Sequence, residues 1–244
     1  SVLAGPVAVA SDGTFVLSYS GSYTGPVLAR IIDRDSGSDY ADEATGTQKD
    51  LAGDLRTMFV SPSGVQTIRI SVNPISELAV RELGLSSGDN GLSSIKASNL
   101  TAAQVNAANV KVAKAFGLDG DATQVAIAVI NQDGTSNTGA NAVGVALASL
   151  SGLDKLYAGS GDYLAKVAAA VASGDADRIT ALRIAGATVA DSSGQLLAGL
   201  AKTDASIASA VTNAAEAAQT LYQRTVGEIC LLYTSPSPPR RRGI

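Results

Sequence analysis

The residues whose types and spacing could do chemistry are mainly acidic, and they crowd positions 33–43. Carboxylate oxygens are ligands that Ca²⁺ prefers, and Asp33 and Asp35 have the spacing with which a calcium-binding loop begins. The twelfth position of such a loop needs a bidentate Glu, whereas this sequence has Ala44 there. A solvated acidic loop is therefore the alternative to a calcium site. The candidate calcium ligands are Asp33, Asp35, Asp39 and Asp42.

Outside this loop the sequence offers only sparser candidates. Asp119, Asp121 and Asp133 form a second acidic group. Ser93 and Lys96 match S-x-x-K, in which a Lys activates a Ser nucleophile, but neither of the accompanying motifs K-T-G and S-D-N occurs. Carboxylate pairs for glycoside hydrolysis are available, yet sugar subsites are usually lined by aromatic rings and the chain has no Trp. A hydrolase is therefore a remote alternative.

The chain has no His, and its single Cys is Cys230. Without His there is no Ser-His-Asp triad, no imidazole base near neutral pH and none of the usual zinc sites. The phosphate-binding pattern G-x-x-x-x-G-K-[ST] does not occur either. These absences favour a protein that is not an enzyme and that binds no cofactor, with calcium as the exception.

The charge of the chain is acidic. Its formal net charge is −4 at pH 7, and without the three arginines at positions 240–242 it would carry 15 basic and 22 acidic residues. Such a surface repels phosphate backbones and anionic lipid headgroups. No apolar run approaches the roughly 20 residues that cross a bilayer. We therefore expect no nucleic-acid partner and no membrane insertion.

The elements that must position these residues change in type near position 73. Before it, alternating apolar residues predict a hairpin over residues 7–19 and a strand over 26–32. Residues 55–60 are predicted to pair with 65–72 across a Pro-Gly turn. Short strands at this spacing, with no helix between them, predict an antiparallel immunoglobulin-like β-sandwich, either complete or without its first strand.

The stretch VQTIRISVNPISEL, residues 65–78, passes directly from predicted strand to predicted helix. Its apolar residues alternate up to position 72, after which Asn73 supplies a helix cap and Pro74 a favourable first helical residue. We expect the two halves of the chain to be held together by Ile70, Val72, Ile75 and Leu78.

Beyond Pro74 the sequence is rich in Ala and has helical spacing. Thr101 and Gln104 form a capping box, and Asp175 is placed to cap a later helix. Short loops between helices predict antiparallel neighbours in a bundle. The predicted fold class is thus α+β, with a sandwich domain at residues 1–73 and an all-α, Ala-rich domain at residues 74–228.

Residues 229–244 differ from everything before them. They contain Cys230, three of the seven prolines and a run of three arginines, directly after a long Ala-rich stretch. The string CLLYTSPSP followed by arginines resembles the translated read-through of a sequencing adapter. We therefore interpret this tail as non-native.

Four stretches, GPVLARI, DYADEATG, LRTMFV and SVNPISELAVREL, resemble a module of very large, repeat-containing bacterial surface proteins. In that group an immunoglobulin-like or carboxypeptidase-regulatory-like sandwich runs through a (T/N)-P-(L/I)-(T/S)-(E/T)-L-A motif into an Ala-rich helical domain. The motif here is NPISELA, residues 73–79. The later LTAAQVNAANVKVAKAFGLDGD and NAVGVALASLSGL are also similar to the helical part, so the resemblance covers about residues 13–152.

The resemblance implies a non-enzymatic, extracellular structural or adhesive module on the surface of a Gram-negative bacterium. Its partners would be the neighbouring domains of a longer, adhesin-like protein, and the given sequence would be a fragment of it. A module without Cys outside its tail is suited to folding after export, and an acidic surface opposes self-association. The alternatives are a calcium-dependent ligand-binding module and, remotely, a hydrolase.

Overall fold

The computed structural model of the chain describes residues 3–10, 15–19, 22–42, 44–51, 53–64, 68–85, 99–124, 142–157, 163–191 and 194–234. Within these described ranges four strands precede all the helices: β1 (Gly25–Ile31), β2 (Tyr40–Asp42), β3 (Thr47–Lys49) and β4 (Leu55–Ser61). The helices are α1 (Pro74–Glu82), α2 (Ala102–Ala115), α3 (Ala142–Tyr157), α4 (Tyr163–Ser173), α5 (Ala176–Ala190), α6 (Gln195–Thr203) and α7 (Ala205–Thr234), with a 3₁₀ helix (Ala122–Gln124) after α2.

The strands form two separate antiparallel pairs. β1 pairs with β4 so that Gly25 lies opposite Ser61. Between these two strands the chain extends into the second pair, in which Tyr40 of β2 lies opposite Lys49 of β3. We call residues 40–49 the arm, since they are inserted between two strands that pair with each other.

The described residues do not form the predicted β-sandwich. The predicted partner of β4, residues 65–72, is not a strand over its described part, 68–72, and β4 pairs with β1 instead. The predicted hairpin over residues 7–19 also shows no strand where it is described. The α+β class is confirmed, whereas the sandwich predicted for residues 1–73 is not shown.

Side chains from the helices occupy the edge of β4 at which the predicted partner strand would have bound. The backbone N–H of Arg56 donates to Glu77 Oε2 at 3.1 Å, and the Arg56 carbonyl accepts from Ser76 Oγ at 2.8 Å. The Met58 carbonyl accepts from Asn109 Nδ2 at 3.1 Å. An exposed strand edge attracts further strands, and these helix contacts cover part of that edge. Over the described residues 68–72 the predicted pairing is wrong, because helices rather than a strand satisfy these backbone groups.

The predicted helix starts are confirmed because their caps are local. Asn73 Oδ1 accepts from the backbone N–H of Ser76 at 3.0 Å, and Ser76 Oγ accepts from that of Asn73 at 2.9 Å. Thr101 and Gln104 form the same reciprocal arrangement before α2. Asp175 accepts from the backbone N–H three residues later. Each cap satisfies N–H groups that the first helical turn leaves without a partner.

Two apolar clusters fill the space between the helices. The larger one joins α1, α2, α3, α4 and α5 through buried Ile75, Leu78, Val112, Phe116, Leu150, Leu153, Val167 and Ile179. The second joins α3, α5, α6 and α7 through buried Val145, Ala187, Leu196, Leu200 and Ile207. Where the structure describes it, the Ala-rich half is therefore mainly helical, as predicted, and α3 and α5 contribute to both clusters.

A third cluster connects the strands to the helices. Met58 of β4 packs with Val80 of α1, Val105 of α2 and Leu85, and Leu28 of β1 lies against them. The predicted boundary at residue 73 thus falls between elements that share one apolar core. Of the residues expected to hold the halves together, Ile75 and Leu78 are fully buried, whereas Ile70 and Val72 are only half-buried.

Helices α3 and α5 cross at very short distance. A methyl group on Gly152 would overlap the carbonyl oxygen of Gly186, and one on Gly186 would overlap that of Ser149. Ser149 Oγ donates to the Arg183 carbonyl at 2.7 Å, so a buried hydrogen bond accompanies the contact. Glycine at both positions is what allows the two backbones to approach this closely.

The last helix extends further than the sequence indicates. α7 has 30 residues and continues to Thr234, past the predicted end of the helical domain at residue 228 and into the tail interpreted as non-native. Residues 235–244 lie outside the described part of the chain. None of the described helices is both long and apolar enough to cross a membrane.

Candidate functional site

The four candidate calcium ligands lie in different environments. Asp33 Oδ1 accepts from the backbone N–H of Asp35 at 3.0 Å, and Asp35 Oδ1 accepts from that of Gly37 at 2.8 Å. Asp39 Oδ2 accepts from a backbone N–H at position 51. Asp42 is 1% exposed and contacts α3. Two of the candidates therefore organise their own loop, and Asp42 belongs to a separate contact.

The structure instead brings Asp33 and Asp39 together with Asp50. One carboxylate oxygen of each lies within 4.8 Å of the others, and Asp39 and Asp50 are exposed. Partial desolvation, together with the negative charges of Asp33 and Asp39, raises the pKa of Asp50 above its usual value. Sequence reasoning missed Asp50 because it follows β3, and only the pairing of β2 with β3 places it beside Asp39.

Asp42 joins the arm to α3. Its carboxylate accepts from Ser151 Oγ at 2.5 Å and from Thr45 Oγ1, and it lies 3.1 Å from Lys49 Nζ. Lys49 Nζ also lies 3.3 Å from Asp154 Oδ2. The result is a chain of alternating charges that begins at a buried carboxylate and ends at the surface.

The electrostatics of this contact favour the charged forms of both partners. Burial alone would raise the pKa of Asp42, but hydrogen bonds from Ser151, Thr45 and Lys49 hold it below its usual value. Burial would likewise lower the pKa of Lys49, whereas Asp42 and Asp154 raise it. The ammonium group is therefore stabilised as a cation, which makes it a partner in an ion pair rather than a base.

The second polar site lies between β4 and α1. Arg56 and Glu77 are 2% and 1% exposed, and Nε and Nη2 of Arg56 lie 2.9 and 2.7 Å from the two carboxylate oxygens. Glu77 Oε1 also lies 2.9 Å from Nε of Arg81, one helical turn later. Arg56 Nη2 donates to the Leu85 carbonyl at 3.2 Å. We call Arg56, Glu77 and Ser76 the junction, because they link a strand directly to a helix.

A further ion pair, with a buried arginine, joins the helices to each other. Arg183 of α5 pairs with Asp204, the residue before α7, and its guanidinium lies 5.6 Å from the centre of the Phe116 ring. Burial would raise the pKa of Asp204, but hydrogen bonds from Ser206 and Arg183 hold it below its usual value. Sequence reasoning missed this pair because its members are 21 positions apart and neither forms a motif.

The remaining candidates fall into two groups. Ser93, Lys96 and Asp133 lie outside the described residues. Asp121 Oδ1 accepts from the backbone N–H and the hydroxyl of Thr123 at 2.9 and 2.6 Å, which fixes the 3₁₀ turn after α2. Asp119 is exposed. The described part of this second acidic group therefore supports local structure.

Comparisons of the chain with protein-family models, curated proteins and solved structures found no match.

Proposed function

We propose that the chain is a non-enzymatic structural or adhesive module of a bacterial cell-surface protein, in which a strand region is fixed rigidly to a helical region. The observation that carries this proposal is the junction, where a strand and a helix share a buried, multiply hydrogen-bonded ion pair. The sequence resemblance supports the extracellular location and the neighbouring domains as partners.

The geometry of the junction favours a fixed orientation over simple stabilisation. A buried ion pair often contributes no more than an apolar pair of the same size, because both charges must leave water. The pair instead fixes the orientation of β4 relative to α1, since the Arg56 guanidinium has to donate to two carboxylate oxygens and a carbonyl at once. A strand attached in this way cannot slide along α1 without leaving charges unpaired. Such a connection is suited to a module that carries load between neighbouring domains.

Pulling on the chain from its two ends would test this role. We expect the strands and helices to unfold in one event, because Met58 lies in the cluster that connects them. Met58→Ala should lower the force of that event, while Leu156→Ala, at an exposed position on α3, should not change it. Separate unfolding of the helices before the strands would contradict a load-bearing connection.

We also propose, from the resemblance, that β1 and β4 belong to an immunoglobulin-like sandwich in the longer protein. Phe59 is buried on the face of β4 turned away from the helices, and at the end of that face Tyr19 and Ser61 share a hydrogen bond of 2.8 Å between their hydroxyls. NMR of the chain linked to its preceding domain should show cross-strand contacts from residues 15–19. Their absence would reject the sandwich.

A calcium-dependent binding module is the second candidate, and the proximity of Asp33, Asp39 and Asp50 favours it. Repulsion among three carboxylates should be relieved by a divalent cation. Millimolar calcium should then raise the unfolding temperature, and Asp50→Asn should abolish the rise. Asp177→Asn, an exposed acid on α5, is the matched control. An unchanged unfolding temperature in calcium and in chelator would leave only a solvated acidic loop.

A further inference from the structure

The arm contacts α3 through its backbone at the turn. The N–H of Ala44 donates to Ser151 Oγ at 3.0 Å, and the carbonyl of Ala44 accepts from Lys155 Nζ at 3.2 Å. Ser151 and Lys155 are one helical turn apart, so they lie on the same face of α3. Both polar backbone groups of one arm residue are thus held by two side chains of α3.

The side chains of the arm add an ionic contact at the same place. The Asp42 carboxylate accepts from Ser151 Oγ, so this hydroxyl donates to one arm residue while it accepts from another. Lys49 connects Asp42 to Asp154, which lies on α3 between Ser151 and Lys155. Asp42 is the buried end of this network, and Asp154 is its exposed end.

The described side chains of the arm contribute very little apolar surface to the core. Among them Ala44 is the buried apolar residue, and none belongs to the three apolar clusters. Residues 45–48 are exposed. The burial that stabilises α1 to α7 therefore does not depend on the arm. Removing the arm from α3 would cost polar contacts, most of which water can replace.

We propose that the arm is a detachable strap, latched to α3 by the contact of Asp42 and Ala44 with Ser151, and that it opens while the helical core stays folded. Proteins open locally with free energies well below that of global unfolding where apolar contacts are few. The open form frees the polar face of α3 that carries Ser151, Asp154 and Lys155. Because β1 and β4 remain paired, the two ends of the strap stay anchored.

Amide hydrogen exchange of the intact chain tests the strap directly. The N–H of Ala44 should exchange about 100-fold faster than that of Leu150 in α3, and its rate should respond little to low concentrations of denaturant. Leu150 is fully buried in the helical core and reports on global unfolding. Equal rates with equal denaturant dependence at both amides would overturn the proposal, because the arm would then open only when the core unfolds.

Variants of the latch separate its role from general stability. Ser151→Ala should speed the exchange of the Ala44 amide by about tenfold and leave Leu150 nearly unchanged. Gln48→Ala, at an exposed position of the arm, should change neither rate. Lys155→Ala, which removes only the contact with the Ala44 carbonyl, is the substitute if Ser151→Ala does not fold. It should also speed the exchange of the Ala44 amide and leave that of Leu150 nearly unchanged. An equal loss of protection at Ala44 and Leu150 would show that the contact stabilises the core instead.

Discussion

Arg56 and Glu77 form the only one of the described ion pairs in which both side chains are at most 2% exposed. The pair differs from Lys111 and Glu82, which meet near the surface at the far end of α1. In water the attraction between two charges is small, so a surface ion pair adds little to stability. A buried charge that loses its partner lowers the stability strongly, because its desolvation is no longer compensated. Removing the charge of a glutamate should therefore change the stability very differently at the two ends of α1.

We predict that Glu77→Gln lowers the free energy of unfolding by about 3–5 kcal/mol, because it leaves the buried Arg56 guanidinium without a counter-charge. Denaturant titration followed by circular dichroism would measure the change. Glu82→Gln is the matched control, and its loss should stay below about 1 kcal/mol. The double variant Arg56→Met with Glu77→Leu should recover much of the stability. Equal losses at Glu77 and Glu82 would mean that the junction is no more than a surface pair.

The elements show which parts of the fold follow from local sequence. The starts of α1, α2 and α5 are predictable because Asn73, Thr101 and Asp175 lie within three residues of the groups they cap. The pairing of β4 is not predictable in this way, since its partner β1 lies across the arm and its other edge is covered by α1 and α2. Alternation indicates a strand but does not identify its neighbour.

The candidate site likewise has a part that local sequence predicts and a part that it does not. The sequence identifies the acidic loop, and Asp33 and Asp39 do lie together. It cannot show that Asp42 turns toward Ser151, more than 100 positions away, or that Asp50, which follows β3, approaches Asp39, which precedes β2. A carboxylate in an alternating segment gives no signal of which distant hydroxyl it will meet.

The crossing of α3 and α5 supports a prediction at the scale of elements. Gly186→Ala should destabilise the protein by about 1–3 kcal/mol, because its methyl group would overlap a backbone carbonyl that no rotamer change can move. Gly199→Ala on α6 is the control, since its methyl group would lie 3.9 Å from the nearest atom, on Val145. There the better helix propensity of Ala should stabilise by up to about 1 kcal/mol. Thermal unfolding of both variants gives the comparison, and a stabilised Gly186→Ala would contradict the close crossing.

At the scale of the whole molecule, the distribution of titratable groups determines how stability depends on pH. The chain has no His, so no side chain with an ordinary pKa titrates between about pH 5 and 8. Asp42 and Asp204 both have pKa values below the usual one, and each holds a contact between distant parts of the chain. The exposed Asp50 has a raised pKa, so its effect on the pH dependence of stability has the opposite sign. Screening by solvent makes that effect small.

We therefore predict a constant unfolding temperature between about pH 5 and 8 and a fall below about pH 4. For Asp42 and Asp204, the folded-state pKa lies below the unfolded-state value, so the unfolded chain binds more protons in acid. Their contribution is present above the unfolded-state pKa and is lost as pH falls through the folded-state pKa. Calorimetry across this range measures the curve. Asp42→Asn should weaken the fall of the unfolding temperature at low pH, and a transition between pH 5 and 8 would contradict the assignment.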